Sequence, residues 1–145
     1  METISAAEFI KNQNAGVKTK KRRVQHERLK VRRPCVKEIR QLRAINYFKR
    51  WKFFHVIVPP DPGLLTGKQK TDYKLDGYEE GVFDMTIIAA DEKTVRTWLI
   101  EFKWQYNGYT DSQKEVIKAA TDTPVECVKI KSLSEFRKFI AENLR

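Results

Sequence analysis

Asp84, Glu101 and Lys103 are the residues whose types and spacing could do chemistry. They lie in two runs rich in β-branched and aromatic residues, Gly81 to Ile88 and Trp98 to Trp104, on either side of the polar cluster Asp91-Glu92-Lys93-Thr94. Such runs around a polar reversal predict a β-hairpin. With the reversal centred between Glu92 and Lys93, Ile87 faces Trp98 and Asp84 faces Glu101 across the ladder. Side chains alternate along a strand, so Lys103 joins both carboxylates on one face while Met85, Ile100 and Phe102 turn to the other. Carboxylates directly opposite one another cost stability unless a cation offsets the repulsion. A divalent metal ion would do so. On the wet face of an antiparallel sheet, however, an Asp, a Glu and a Lys are ordinary solvated groups. Glu101 interrupts a strongly apolar run, and an unpaired buried carboxylate is expensive, so it either faces water or holds a partner.

The elements that must position these residues follow from periodicity and punctuation. A helix is expected from about Val36 to Lys52, beginning after Pro34, with Ile39, Leu42, Ile45 and Phe48 as its apolar stripe. Phe53 to Val58 reads as a strand stopped by Pro59-Pro60-Asp61-Pro62-Gly63. Gly63 to Glu80 is polar and reads as a loop or weak hairpin, either beside the site or an exposed insertion without a role. After the turn at Asn107-Gly108, Thr110 is a natural N-cap for a helix from Asp111 to about Thr121. Val116, Ile117 and Ala120 form its expected buried stripe. Pro124 to Ile130 reads as a further strand, and Ser132-Leu133-Ser134-Glu135 starts a last helix with Phe136, Phe139, Ile140 and Leu144 inward. This order predicts a single-domain α/β sandwich around a central mixed β-sheet flanked by helices.

Asp84 followed by Glu101-Phe102-Lys103 resembles the Asp…(Glu/Asp)-X-Lys signature of the PD-(D/E)XK nuclease superfamily. Three further features narrow the likeness: Gly81 three residues before Asp84, Thr110-Asp111-Ser112-Gln113 opening a helix, and Glu38 on an upstream helix. In that combination the chain resembles the VRR-NUC family over roughly Pro34 to the C-terminus. Phe83 stands where the superfamily usually has Pro before the Asp. The resemblance implies a restriction-endonuclease-like fold and metal-dependent hydrolysis of DNA phosphodiesters. In it Asp84, Glu101, the Phe102 carbonyl and Glu38 would ligate Mg2+ or Mn2+, whose preference for hard oxygen donors suits this set. Lys103 would position the attacking water or stabilise charge on phosphorus, and Gln113 would point back toward the Glu-X-Lys strand. Stand-alone family members, often phage-encoded, act on branched DNA, so the expected activity is a structure-selective endonuclease on four-way junctions or other branches. A non-catalytic DNA-binding or packaging accessory protein with a nuclease-like fold is the alternative, and an exonuclease using the same site is a third.

The bulk composition agrees with a polyanionic partner. Lys and Arg number 29 against 19 Asp and Glu, for a net charge of +10. Much of the excess lies in residues 1–33, where a short helix starting at Ser5 gives way to a basic run expected to be a flexible arm on the DNA backbone or a solubilising tail. Lys20, Lys21, Arg22, Arg23, Arg32 and Arg33 are its candidate DNA contacts, and residues 34–145 form the expected nuclease domain. Cys35 and Cys127 match neither a zinc spacing nor a disulfide framework, which predicts reduced thiols in an intracellular protein. With no apolar run of membrane length, the expected location is the cytoplasm, that of the host for a phage-encoded chain, with no membrane partner. The aromatic group Tyr47, Phe48, Trp51, Phe53 and Phe54 exceeds what a sheet face obviously needs and predicts a homodimer interface, unless these rings are all core.

Overall fold

Two strands, β2 (Met85–Ala90) and β3 (Val95–Phe102), pair antiparallel in the computed structural model, which describes residues 27–60, 65–77, 82–103 and 107–145. Ile87 lies opposite Trp98 and Met85 opposite Ile100, the register expected from the position of the turn. Asp91 makes that turn: its carboxylate accepts from the N–H groups of Lys93 and Thr94 at 2.8 and 2.9 Å, and its own N–H donates to the Thr94 carbonyl. Those bonds, the Lys93 one first, hold its carboxyl below the usual range. Asx-type turn bonding of this kind is why a short polar cluster can reverse two strands.

β1 (Phe53–Ile57) adds antiparallel to β2, and β4 (Val125–Ile130) adds parallel to β3, giving a four-stranded mixed sheet in the order β1-β2-β3-β4. A parallel neighbour needs a crossover, supplied by α3 (Asp111–Ala120). One sheet face is the core. Met85, Ile87, Ala89, Trp98, Ile100, Phe102 and Ile130 are buried there against Val31, Cys35 and Ile39 of α1 (residues 27–44) and Phe136, Phe139 and Ile140 of α4 (Leu133–Asn143). Aromatic rings meet edge to face at Trp51–Trp98, Trp98–Phe139 and Phe102–Phe136, and the Trp51 indole N–H donates to the Leu144 carbonyl at 3.0 Å. The fold is thus α/β, with helices on a mixed sheet. Among the described residues no helix is long and apolar enough to cross a membrane.

The first helix departs from its expected bounds at both ends. It already runs from residue 27, with Pro34 inside it, and Val31 and Arg32 are buried, so the boundary expected at Pro34 is corrected: residues 27–33 belong to the folded unit. A mid-helix proline costs about 3 kcal/mol. Burying Val31, Cys35 and Ile39 on one face at four-residue steps outweighs it, at about 1.5–3 kcal/mol for each large aliphatic side chain. The helix stops at residue 44 because Asn46 takes a left-handed backbone (φ 56), letting its N–H reach the Arg43 carbonyl and that of Tyr47 the Leu42 carbonyl. Ile45, expected in the apolar stripe, is therefore outside the helix and 72% exposed.

The segment expected to be a loop contains a second helix, α2 (Gly67–Leu75), which buries no residue. A reciprocal capping box starts it: Thr66 Oγ accepts from the Gln69 N–H, and Gln69 Oε1 accepts from the Thr66 N–H. Of the five aromatics expected to be partly surplus, Phe48 and Trp51 are buried and Tyr47 and Phe54 pack against the core; only Phe53, at 51%, is exposed. The expected helix start at Ser5, Gly81, and the candidate contacts Lys20, Lys21, Arg22 and Arg23 lie outside the described residues.

Candidate active site

Asp84 is the last residue before β2, where the β2–β3 ladder ends. Its backbone N–H is satisfied by Glu101 Oε2 at 3.2 Å, and its Oδ2 accepts from the Phe102 N–H at 3.0 Å. Each carboxylate thus completes hydrogen bonding that the ladder leaves open on the other strand. This explains why two acids tolerate one another at a strand end. Lys103 follows on the same face, its Nζ 3.4 Å from Glu101 Oε1, and its N–H donates to the Ile130 carbonyl of the parallel neighbour.

Gln113 arrives from α3. Thr110 caps the helix through a capping box in which Gln113 Oε1 accepts from the Thr110 N–H at 3.0 Å. With its oxygen so engaged, the Gln113 side chain lies beside Glu101 and acts to lower its carboxyl. Asp84, Glu101, Lys103 and Gln113 are 7, 4, 7 and 5% exposed, so four polar side chains share one buried nest in a largely apolar sheet. Gln113 is the buried residue of α3, whereas Val116, Ile117 and Ala120, expected as its buried stripe, are only half-buried.

Two arginines that sequence reasoning did not place in the site complete it. Arg28 Nη1 donates to Asp84 Oδ1 at 2.7 Å, and Arg32 Nε lies 3.5 Å from the same oxygen while its Nη2 donates to the Pro59 carbonyl at 2.6 Å. Their i, i+4 spacing sets both on one face of α1, a signal readable only once the helix is known to begin before Pro34. Arg32 is thus corrected from an exposed arm contact to a buried member of the site, whereas Arg33 is exposed on the same helix. Glu38 is not brought to the nest. It pairs with Arg137 of α4 at 3.1 and 3.3 Å, and with it flanks Cys35, whose thiol is pushed up to about 12, chiefly by burial and then by the Glu38 charge.

The charge balance of the nest has a direct consequence. Burial pushes the Glu101 carboxyl up to about 7, the Asp84 charge pushes the same way, and Lys103 and the Gln113 side chain oppose them. Burial is thus the first cause of the raised Glu101 carboxyl, in a nest where Arg28, Arg32 and Lys103 already face the two carboxylates. Oxygen donors from Asp84, Glu101 and the Phe102 carbonyl fit a hard ion such as Mg2+ or Mn2+ that keeps positions for water and phosphate. Among the described residues no third Asp, Glu, His or Cys joins the two carboxylates to complete an all-protein cluster. Phe83, in the position before Asp84, is buried and packs its ring 5.9 Å from that of Tyr109. Tyr109 in turn sits under the ammonium of Lys129, 5.5 Å from its ring centre. No family model, curated protein or solved structure matches this chain.

Proposed function

We propose that this protein is a metal-dependent, structure-selective DNA endonuclease of the VRR-NUC kind, with a restriction-endonuclease-like fold, acting on branched DNA as a homodimer. The observation that carries the reading is the buried nest itself, in which two carboxylates, a lysine and a glutamine converge at the end of the β2–β3 ladder. Burying four polar groups together is costly unless each is partnered, and here their convergence at one strand end supports a functional reading. Asp84, Glu101 and the Phe102 carbonyl hold Mg2+ or Mn2+; Glu38, engaged by Arg137, is outside this set. The ion supplies Lewis acidity and a more acidic water when bound. Lys103 sets its ammonium against the charge that builds on phosphorus, and Gln113 fixes the Glu101 carboxylate. The basic segment with Lys20, Lys21, Arg22 and Arg23 adds contacts to the DNA backbone.

One observation favours a second reading. Arg28 and Arg32 already neutralise Asp84 without a metal, an arrangement suited to a DNA-binding protein that does not cut. Incubation with labelled four-way junction, linear duplex and single strand, with Mg2+, Mn2+ or EDTA, separates the two. The nuclease reading expects metal-dependent incision of the junction ahead of duplex. Binding to all three without incision under either metal would leave the non-catalytic reading.

A further inference from the structure

A groove of about 640 Å3 runs beside the nest, between α1 and the chain that leaves β1. Arg33, Lys37 and Arg40 form its basic wall, and Val36, Val58 and Pro59 are among the apolar residues of its floor. The three cations are spaced i, i+4 and i+7 on α1, so they stand in one stripe along about 10 Å of helix. All three are exposed, and none has a carboxylate partner among the described residues, whereas elsewhere Arg96 pairs with Glu126, Arg137 with Glu38 and Lys52 with Glu92. Among the described residues no acidic residue lines the groove. Its inner end is Arg32, whose guanidinium is shared between the Pro59 carbonyl and Asp84, so a single buried side chain separates the groove from the nest.

From this geometry we infer that the groove holds an unpaired DNA strand leading to or from the scissile phosphate, and so reads the branch that distinguishes the substrate from plain duplex. The inference rests on the nuclease reading and names the part of the substrate that this surface takes. A basic wall alone would suit any phosphate backbone. The floor decides the occupant. A duplex keeps its base faces stacked inside and offers Val36, Val58 and Pro59 only sugar edges and thymine methyls, whereas an unpaired strand can lay base faces on such a floor while its phosphates meet the cations.

The test uses the full chain in EDTA, so that no probe is cut, and fluorescence anisotropy with three probes: a blunt duplex, the same duplex carrying an unpaired oligo-dT arm, and free oligo-dT. The arm is expected to tighten binding severalfold over the blunt duplex, chiefly through the added phosphate contacts to the three cations. In the variant Arg33→Gln/Lys37→Gln/Arg40→Gln that gain disappears, and affinity for the armed probe falls several times more than affinity for the blunt duplex. Losing the three contacts also lowers the slope of log affinity against log salt for the armed probe by about 2, at about 0.7 for each phosphate of a single strand. Equal loss on blunt and armed probes would make the stripe a general backbone contact and overturn the inference while leaving the nuclease reading in place. Failure of the unsubstituted protein to bind any of the three probes would remove both.

Discussion

Asp84 and Glu101 are held by backbone N–H groups from opposite strands, so substituting either to its amide keeps the shape and removes a charge. Asp84→Asn is expected to abolish cleavage while DNA binding stays intact or tightens, because the lost charge also repelled phosphate. Lys103→Ala is expected to lose cleavage with metal binding retained, measured by Mn2+ titration; near-normal cutting by either variant would refute the assigned chemistry. Glu101 adds a prediction that needs no substrate. Its folded carboxyl, at about 7, lies above its ordinary 4.5, so the folded state binds the proton more tightly than the unfolded chain. The stability this contributes is complete below about pH 4.5 and is lost as pH rises through about 7. Glu101→Gln mimics the protonated form at every pH. In EDTA at pH 8 the variant should melt several degrees higher than the parent, and the two should converge near pH 4.5. A lower melting temperature for the variant at pH 8 would mean that the Lys103 pair, not burial, governs this carboxylate.

At the scale of elements, two capping boxes of the same chemistry have different consequences because one joins the nest and one does not. Thr110 caps α3 and, by engaging Gln113 Oε1, turns the glutamine toward Glu101; Thr66 caps α2, which buries nothing. Removing an N-cap hydroxyl costs about 1 kcal/mol. Thr110→Ala is expected to lower the melting temperature by about 2–4 °C and reduce cleavage severalfold. Thr66→Ala should leave both unchanged and show itself only as faster amide exchange within 67–75. The contrast also explains what was legible beforehand. Thr110-Asp111-Ser112-Gln113 was read as a helix start because an apolar stripe follows it, whereas Thr66-Gly67-Lys68-Gln69 has the same cap signature and no stripe, so periodicity concealed α2. The hairpin register was readable because a side-chain period of two and a four-residue polar turn leave one solution. The start of α1 was not, since Pro34 is a local breaker that only long-range packing of Val31 and Cys35 overrides. Arg28 and Arg32 were hidden for the same reason: their shared face exists only in a helix that passes through the proline.

For the whole molecule, one chain carries one Asp84, Glu101 and Lys103 set, and on the proposed nuclease reading would therefore cut one strand at a time. Symmetric resolution of a four-way junction needs two such sites, and closed two-fold association is the commonest way for a small protein to obtain them. The core has absorbed most of the aromatic group once expected to form the interface, since Phe48 and Trp51 are buried and Tyr47 and Phe54 pack beside them. What stays on the surface is narrower. β1 is an edge strand, and its outward residues Phe53, His55 and Ile57 are exposed on the sheet face opposite the core, with the Phe53 and His55 rings stacked at 5.7 Å. An exposed apolar row on a sheet edge is the kind of surface that a second copy covers by strand or face pairing. Light scattering on the eluted protein across a concentration series is expected to give twice the chain mass of 17.1 kDa, about 34 kDa. Phe53→Asp/Ile57→Asp should shift it to the monomer and convert paired incision of a junction into single nicks, with the nest unaltered. A chain that stays monomeric at high concentration and on a bound junction would exclude the paired-cut mechanism and leave a nicking or flap-cutting enzyme with the same active site.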